Sequence, residues 1–361
     1  MPRARVTRLS MAAPDDTAPI RAAIAGGEID PGAIRAIFAK TEGNGCVNDF
    51  TRAFAVQSLR LMLGAHLPAD AVAEIAMVMS GGTEGALAPH WLVFEALPDD
   101  GPGENALAVG VHTTRDLAPE EIGRNAQVAL VASGVRAAMA TAGIENAEDV
   151  HFVQVKCPLI TAERTAAAVA RGATVATGDT LKSMGFSRGA ASLGVALALG
   201  EIDTPSDDAI TTDRTLFSGR ASASAGIELM ANEIVVLGHA PSWRGPCRID
   251  HAVMADAADG RALAGIFART GLSDDAFLSS AARERVICVL AKAEPSSTGR
   301  LRGHRHTMLD DSDISPTRHA RGFVAGVLAG LVGHAELFVS GGAEHQGPDG
   351  GGPVAVIYRT A

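Results

Sequence analysis

The chain has 361 residues, 47% of them hydrophobic, and a formal net charge of −10. That length exceeds what one hydrophobic core ordinarily covers, so two or three domains are expected. The acid excess excludes the clustered basic face that nucleic acid requires, and the longest apolar helical stretch, Phe323 to Leu331, is too short and glycine-broken to span a bilayer.

In chain order, Arg5–Leu9 predicts a strand, Thr17–Ala25 a helix, and Ile34–Lys40 a strand that ends in lysine. Asp49 or Thr51 is placed to cap a helix carrying Arg52 and running to Leu63. Ile75–Met79 is a strand that runs into Ser80, and Trp91–Phe94 is the strand after it. A loop with Pro98, Gly101, Pro102 and Gly103 closes this section.

The second section repeats the order. Ala126–Ala132 predicts a strand, Arg136–Ala142 a helix, and Asp149–Lys156 a strand that again ends in lysine. Thr161–Ala170 adds a helix without a counterpart in the first section. Ser187-Arg188-Gly189 opens an Ala/Leu-rich helix to Leu199, and the acidic Glu201–Arg214 stretch reads as a surface excursion. Ser224 and the strand Ile234–Leu237 follow.

The third section starts near Cys247-Arg248-Ile249. Arg285–Lys292 is a third strand ending in lysine, followed by a polar stretch with His304, His306, Asp310, Asp311 and Asp313. Arg321-Gly322 opens a helix to Leu331, Leu337–Val339 leads into Ser340, and Val354–Tyr358 is the last strand.

One phrase recurs in all three sections: Ser80-Gly81-Gly82-Thr83-Glu84, Ser224-Ala225-Gly226-Ile227-Glu228 and Ser340-Gly341-Gly342-Ala343-Glu344. A short apolar run into Ser and Gly is a strand entering a tight turn, and glycine lets the backbone approach a ligand. Three copies about a third of a chain apart mean an internal repeat, with units at roughly 1–104, 109–243 and 248–361. The fold class expected is α/β (α+β): three repeat units around a pseudo-threefold axis, forming a barrel-like body with a central site, as identical subunits close into rings. That axis would face Lys40, Lys156 and Lys292, Arg52, Arg188 and Arg321, and Ser80, Ser224 and Ser340.

Singly, each lysine reads as a solvated cation and each serine as a turn residue. Recurrence at the same strand end in three diverged sections is what points to chemistry. Serine beside a lysine base is a nucleophile arrangement, and converging cations with burial lower the lysine pKa. Glycine amides beside each serine suit an oxyanion, and planar guanidinium forks suit ring carbonyls. Lys40 and Lys292 are each followed, two residues on, by a carboxylate, Glu42 and Glu294. Lys156 is followed by Cys157-Pro158 and is read as the lysine most readily neutral, which makes Ser224 the nucleophile of choice.

These segments, together with Lys40-Thr41-Glu42-Gly43-Asn44-Gly45, Gly185-Phe186-Ser187-Arg188-Gly189 and His345-Gln346-Gly347-Pro348, resemble the cyanuric acid hydrolase and barbiturase family over nearly the whole chain. The resemblance implies hydrolytic opening of a cyclic imide-like ring, with Ser224 as nucleophile, Lys156 as base and no catalytic cofactor. It implies substrate contacts from Lys40, Arg52, Ser80, Gly81, Arg188, Ala225, Lys292, Arg321, Ser340 and Gly341. It also implies a structural Mg²⁺ or Ca²⁺ held by Glu294 and the backbone oxygens of Ala343, Gln346, Gly347, Pro348 and Gly351, a ligand set of hard oxygens. A tetramer is the assembly it suggests, with a small heterocycle as sole ligand and neither nucleic acid nor membrane as partner.

Cyanuric acid is itself threefold symmetric and matches a threefold set of donors, while barbituric acid breaks that symmetry with a ring carbon. The choice between them is expected to involve Ser315-Pro316-Thr317-Arg318-His319. Two other classes compete: a metal-dependent amidohydrolase through His304-Arg305-His306 with Asp310 and Asp313, and a non-catalytic heterocycle-binding protein. Cys46, Cys157, Cys247 and Cys288 show no ligand spacing, which suggests reduced thiols in a cytoplasm, and no apolar leader follows Arg3, Arg5 and Arg8.

Overall fold

The computed structural model describes residues 1–360. Its first third contains β1 (Pro2–Ser10), α1 (Ala18–Ala25), β2 (Ile34–Thr41), α2 (Phe50–Leu63), α3 (Ala69–Ala73), β3 (Ala76–Gly81) and β4 (His90–Pro98). The middle contains β5 (Ala106–Thr113), α4 (Asn125–Ala142), β6 (Val150–Pro158), α5 (Ala162–Ala170), α6 (Thr180–Ala198), β7 (Ala221–Gly226) and β8 (Glu233–Ala240). The last part contains β9 (Cys247–Met254), α7 (Gly260–Arg269), α8 (Ser280–Arg285), β10 (Val286–Ala293), a two-residue ribbon β11 (Arg300–Leu301) with β12 (His304–Arg305), α9 (Pro316–Val332), β13 (Phe338–Gly341) and β14 (Gly352–Arg359).

The long strands form three four-stranded mixed sheets, ordered β1-β4-β2-β3, β5-β8-β6-β7 and β9-β14-β10-β13. Setting the ribbon aside, each order is first, fourth, second, third. In each sheet the second strand runs parallel to the third and antiparallel to the fourth, with a register shift near its start.

Strand alternation explains the layering. On β2, Ala36 and Phe38 enter a core shared by all three sheets, while Ile37 and Ala39 face the cluster of Ile20, Leu59 and Leu63 from α1 and α2. On β10, Cys288 and Leu290 enter the shared core, while Val289 and Ala291 pack with Leu263, Phe267, Val324 and Leu328 of α7 and α9. The first and third sheets meet at Phe38, whose ring lies 5.5 Å from that of Phe338, while Phe94, at 4.7 Å, is its neighbour within the first sheet. Lys40 and Lys292 have the parity of Phe38 and Leu290, so they share the central face.

Several expectations need correction. The sheets stay separate, and among the described residues no closed barrel forms. Each sheet ends on its first and third strands, and among the described residues the isolated β-bridges outside the sheets are Arg3 to Arg244 and Ser218 to Gln346. Ala126–Ala132 is not a strand but the start of α4; an apolar run of that length fits either state, and only the full length of the element decides. The first strand of the second sheet is instead β5, which the expected boundary at residue 109 would cut. Arg188 and Arg321 lie within helices rather than opening them. Asp179 caps α6 by accepting from Lys182 N, and Ser315 with Pro316 starts α9.

Candidate active site

Parallel pairing brings the recurrent residues together. Lys40 is the register partner of Ser80, Lys156 of Ser224, and Lys292 of Ser340. All six side chains are buried. Ser80 Oγ lies 3.3 Å from Ser340 Oγ, and Ser224 Oγ lies 3.4 Å from Ser340 Oγ, so the serines of three different sheets converge.

The lysines link the sheets in a cycle. Lys40 Nζ donates to Val339 O at 2.8 Å, Lys156 Nζ to Met79 O at 3.3 Å, and Lys292 Nζ to Ala223 O at 3.0 Å. Each acceptor is the carbonyl just before the serine of another sheet. Lys40 and Lys292 also donate to their own serines, at 3.2 and 3.3 Å. Lys156 instead pairs with Glu228 Oε1 at 2.9 Å.

That pair overturns the reason given for Lys156. Neighbours along the strand do not decide its charge; the carboxylate comes from the turn after β7. Glu42 is exposed, and the carboxylates acting on Lys40 are Glu84 and Asp49. Burial lowers the pKa of all three ammonium groups. Arg321 adds to it at Lys40, which falls well below its ordinary value, and Arg188 at Lys292, which falls to about 7. At Lys156 burial and Arg52 still outweigh Glu228, and the pKa is lowered.

Arg52, Arg188 and Arg321 line the same central cavity with Ser80, Gly81, Ser224, Ala225, Ser340 and Gly341, joined by Gly45, Met79 and Met184. Arg188 grips Glu344 through Nε and Nη2 at 2.7 and 2.6 Å, and Arg321 grips Glu84 in the same bidentate way. Arg52 has no such partner: Nη2 donates to Cys46 O at 2.8 Å and Nη1 to Ala225 O at 3.2 Å. Gly82 N–H and Gly342 N–H, two amides expected to serve an oxyanion, are engaged by Thr41 O and Glu294 Oε2. The amides still adjacent to the serines are those of Gly81, Ala225 and Gly341.

The central cavity measures about 20 Å³, room for one water and not for a six-membered ring. A ring therefore enters only if side chains of the lining move. Gly45, Met184, Arg188, Arg321 and Gly341 also line an outer cavity of about 550 Å³, where Ser315, Thr317 and Arg318 stand.

Glu294, Ala343, Gly347, Pro348 and Gly351 share a further cavity of about 380 Å³. Gln346 does not line it; its side chain is buried between Ala223 N and the carbonyls of Gly342 and Glu344. Burial and Glu344 raise the Glu294 carboxyl to about 7, the crowding of negative charge that a hard cation would relieve. His304 is exposed, and neither it nor His306 lines the central cavity. Among the described residues, the three-residue grouping with metal-ligand proximity is elsewhere, His151, Asp250 and His251. Burial keeps both imidazoles neutral there, at about 3 and 4, and their Nδ1 atoms are 3.0 Å apart, as in a neutral N–H···N bond.

Sequence reasoning noted the glutamate of each Ser-x-Gly-x-Glu phrase but gave Glu84, Glu228 and Glu344 no part. Their fixed spacing from the serine was the available signal. Met184 carried none.

Among the described residues no helix is long and apolar enough to cross a membrane. The family model for amidohydrolase ring-opening proteins matches residues 5–359. The chain is 60% identical to a cyanuric acid amidohydrolase of Methylobacterium sp. (strain 4-46), over 99% of this chain and 97% of that one. It is 61% identical to the cyanuric acid amidohydrolase of Azorhizobium caulinodans, over 99% and 98%. The crystal structure of the A. caulinodans cyanuric acid hydrolase superposes with a TM-score of 0.93 at 59% identity, and a second cyanuric acid hydrolase structure with 0.95 at 46%, each covering all of both chains. With a family model that spans almost its entire length, this chain belongs to the ring-opening amidohydrolases.

Proposed function

We propose that this protein hydrolyses cyanuric acid, opening the ring to carboxybiuret, which then loses CO₂. The observation that carries the reading is the convergence on one cavity of three serines, each register-paired with a buried lysine, in a chain whose relatives at 49–61% identity bear the name cyanuric acid amidohydrolase. Three like sheets around that cavity support three homologous units about a pseudo-threefold axis, and such a set offers one donor group to each carbonyl of a threefold ring.

In this reading Ser224 attacks a ring carbonyl and gives its proton to neutral Lys156. Ser224 is 7% exposed, against 4% for Ser80 and 3% for Ser340, so it is the most accessible of the three. The Ala225 amide holds the developing oxyanion. The ring C–N bond breaks, Lys156 returns the proton to the leaving nitrogen, and water releases the acyl group from Ser224 with Lys156 again as base. Ser80, Ser340, Lys40, Lys292, Arg52, Arg188 and Arg321 hold the remaining carbonyls.

A structural Mg²⁺ or Ca²⁺ would be held by Glu294 with carbonyl oxygens of Ala343, Gln346, Gly347, Pro348 and Gly351. Its part is to fix the loop after β13 and so the Glu344–Arg188 pair. Initial rates on cyanuric and barbituric acid, measured side by side on chelator-treated protein, test the reading. Turnover of cyanuric acid is expected. Zinc-dependent turnover, or preference for barbituric acid, would overturn it.

A further inference from the structure

The three Ser-x-Gly-x-Glu turns are alike in sequence and differ in one contact. Glu84 grips Arg321 and Glu344 grips Arg188, each guanidinium offering Nε and Nη2. The same pattern would put Glu228 on Arg52, whose Nη1 already reaches Ala225 O in that turn. Glu228 lies on Lys156 instead, and Arg52 Nε is buried without a hydrogen-bond partner. Burial does not distinguish the three carboxylates, whose side chains are 23, 24 and 26% exposed for Glu228, Glu84 and Glu344.

The backbone records the same difference. A Cβ on Gly82 would meet Arg321 Nη2 at 2.2 Å, and one on Gly342 would meet Arg188 Cζ at 2.5 Å. At the corresponding Gly226 it would meet Glu228 Oε2 at 2.1 Å. Over this glycine the carboxylate fills the space that a guanidinium fills in the other two turns.

Lys156 also borders a second cavity. With Glu228, Glu233, Arg60 and Met77 it lines a cavity of about 470 Å³, and Glu233 is its register partner across β6 and β8. The charged groups around Lys156 are therefore Glu228 and Glu233 from the β7–β8 side, Arg52 and Arg60 from α2, and the Cys157 thiol next to it on β6.

We propose that Glu228 is a two-position carboxylate, a positioning residue that leaves Lys156 for Arg52 in the substrate complex and so frees Lys156 as the base for Ser224. The proposal rests on the Ser224–Lys156 reading. The move would give Arg52 the bidentate partner its two counterparts have. It would leave a buried ammonium without its counter-ion, and one Nζ–H bond would break. The proton would pass to solvent through the second cavity, past Glu233, whose carboxyl burial raises to about 7. No other bond changes in this step.

The test is the pH dependence of the Glu228→Gln enzyme with cyanuric acid. The acid limb of kcat/KM belongs to the free enzyme, and that of kcat to the complex. Ionisation of the substrate is common to both proteins and cancels in the comparison. Loss of the carboxylate should move the kcat/KM limb about one unit lower, and leave the kcat limb in place. Both limbs moving together would mean that Glu228 stays on Lys156 throughout, and neither moving that it does not govern Lys156; either result overturns the proposal. Should E228Q fail to fold, Arg52→Lys removes the fork that receives Glu228, and its kcat limb should then move up; an unmoved kcat limb refutes the proposal. An acid-quenched adduct on wild-type Ser224 must be in hand first. If it lies on Ser80 or Ser340 the base assignment fails, and if it lies on Ser224 while the limbs shift together, only the movement fails.

Discussion

Lys156, Lys40 and Lys292 lie near the ends of corresponding strands and are all buried, yet they keep different company. The sequence showed that three lysines recur, but not which carboxylate each one meets. Glu228 reaches Lys156 from a turn 72 residues further along (228 − 156), and no pattern along β6 reports it. Ser224→Ala should lower kcat by at least about a thousandfold, as loss of a nucleophile does. Ser80→Ala and Ser340→Ala each remove one hydrogen bond to the ring and should weaken binding about tenfold. Steady-state kcat and KM separate the two behaviours. Lys40 adds a stability prediction. Its folded pKa lies well below the ordinary 10.5, so between those values the unfolded chain binds more protons and stability rises with pH. Thermal midpoints from about pH 7.5 to 9 should climb less steeply in Lys40→Met than in the wild type. An equal slope would show that Lys40 is not held neutral. Above that range the buried Cys157 thiol, pushed up to about 11, acts in the opposite sense.

At the scale of elements, the legible features were local ones. Asp49 caps α2 as its position suggested, accepting from Thr51 N at 3.1 Å. It also accepts from Gly45 N at 2.8 Å, which stitches the loop after β2 to the cavity wall. Asp49→Ala should cost about 1 kcal/mol or more in a urea titration, the usual loss for a cap, and should raise KM because Gly45 lines the site. An unchanged KM would mean that the loop is held by other contacts. At the end of β3 a Cβ on Gly81 would stand 1.7 Å from Asp49 Oδ2, so a side chain there would displace the cap. What was not legible was the start of the middle section. Gly110 crosses α4 so closely that a Cβ would meet Ala138 O at 1.9 Å, a helix-on-strand contact that only the tertiary fold reveals. The sequence of Ala106–Thr113 does not show that contact, and the apolar start of α4 fits a strand as well as a helix.

For the whole molecule, the sequence announced three similar sections but not how they join. Strand order, first-fourth-second-third in every sheet, and the parallel Lys–Ser register depend on pairings between distant segments. The barrel-like body expected is three separate mixed sheets and no closed barrel, because the sheets meet through their apolar faces. The cation predicted beside Glu294 belongs to this scale. Chelation should lower the thermal midpoint while leaving kcat per folded molecule within about twofold, since binding to the native state alone adds stability by mass action. A chelated protein that stays folded but loses activity would contradict a purely structural ion. The central claim is that one serine of a near-symmetric set reacts, and the most direct measurement is mass spectrometry of the enzyme quenched in acid during turnover of cyanuric acid. We expect the acyl adduct on Ser224 and its absence from Ser224→Ala. An adduct on Ser80 or Ser340 that persists in Ser224→Ala would contradict the account.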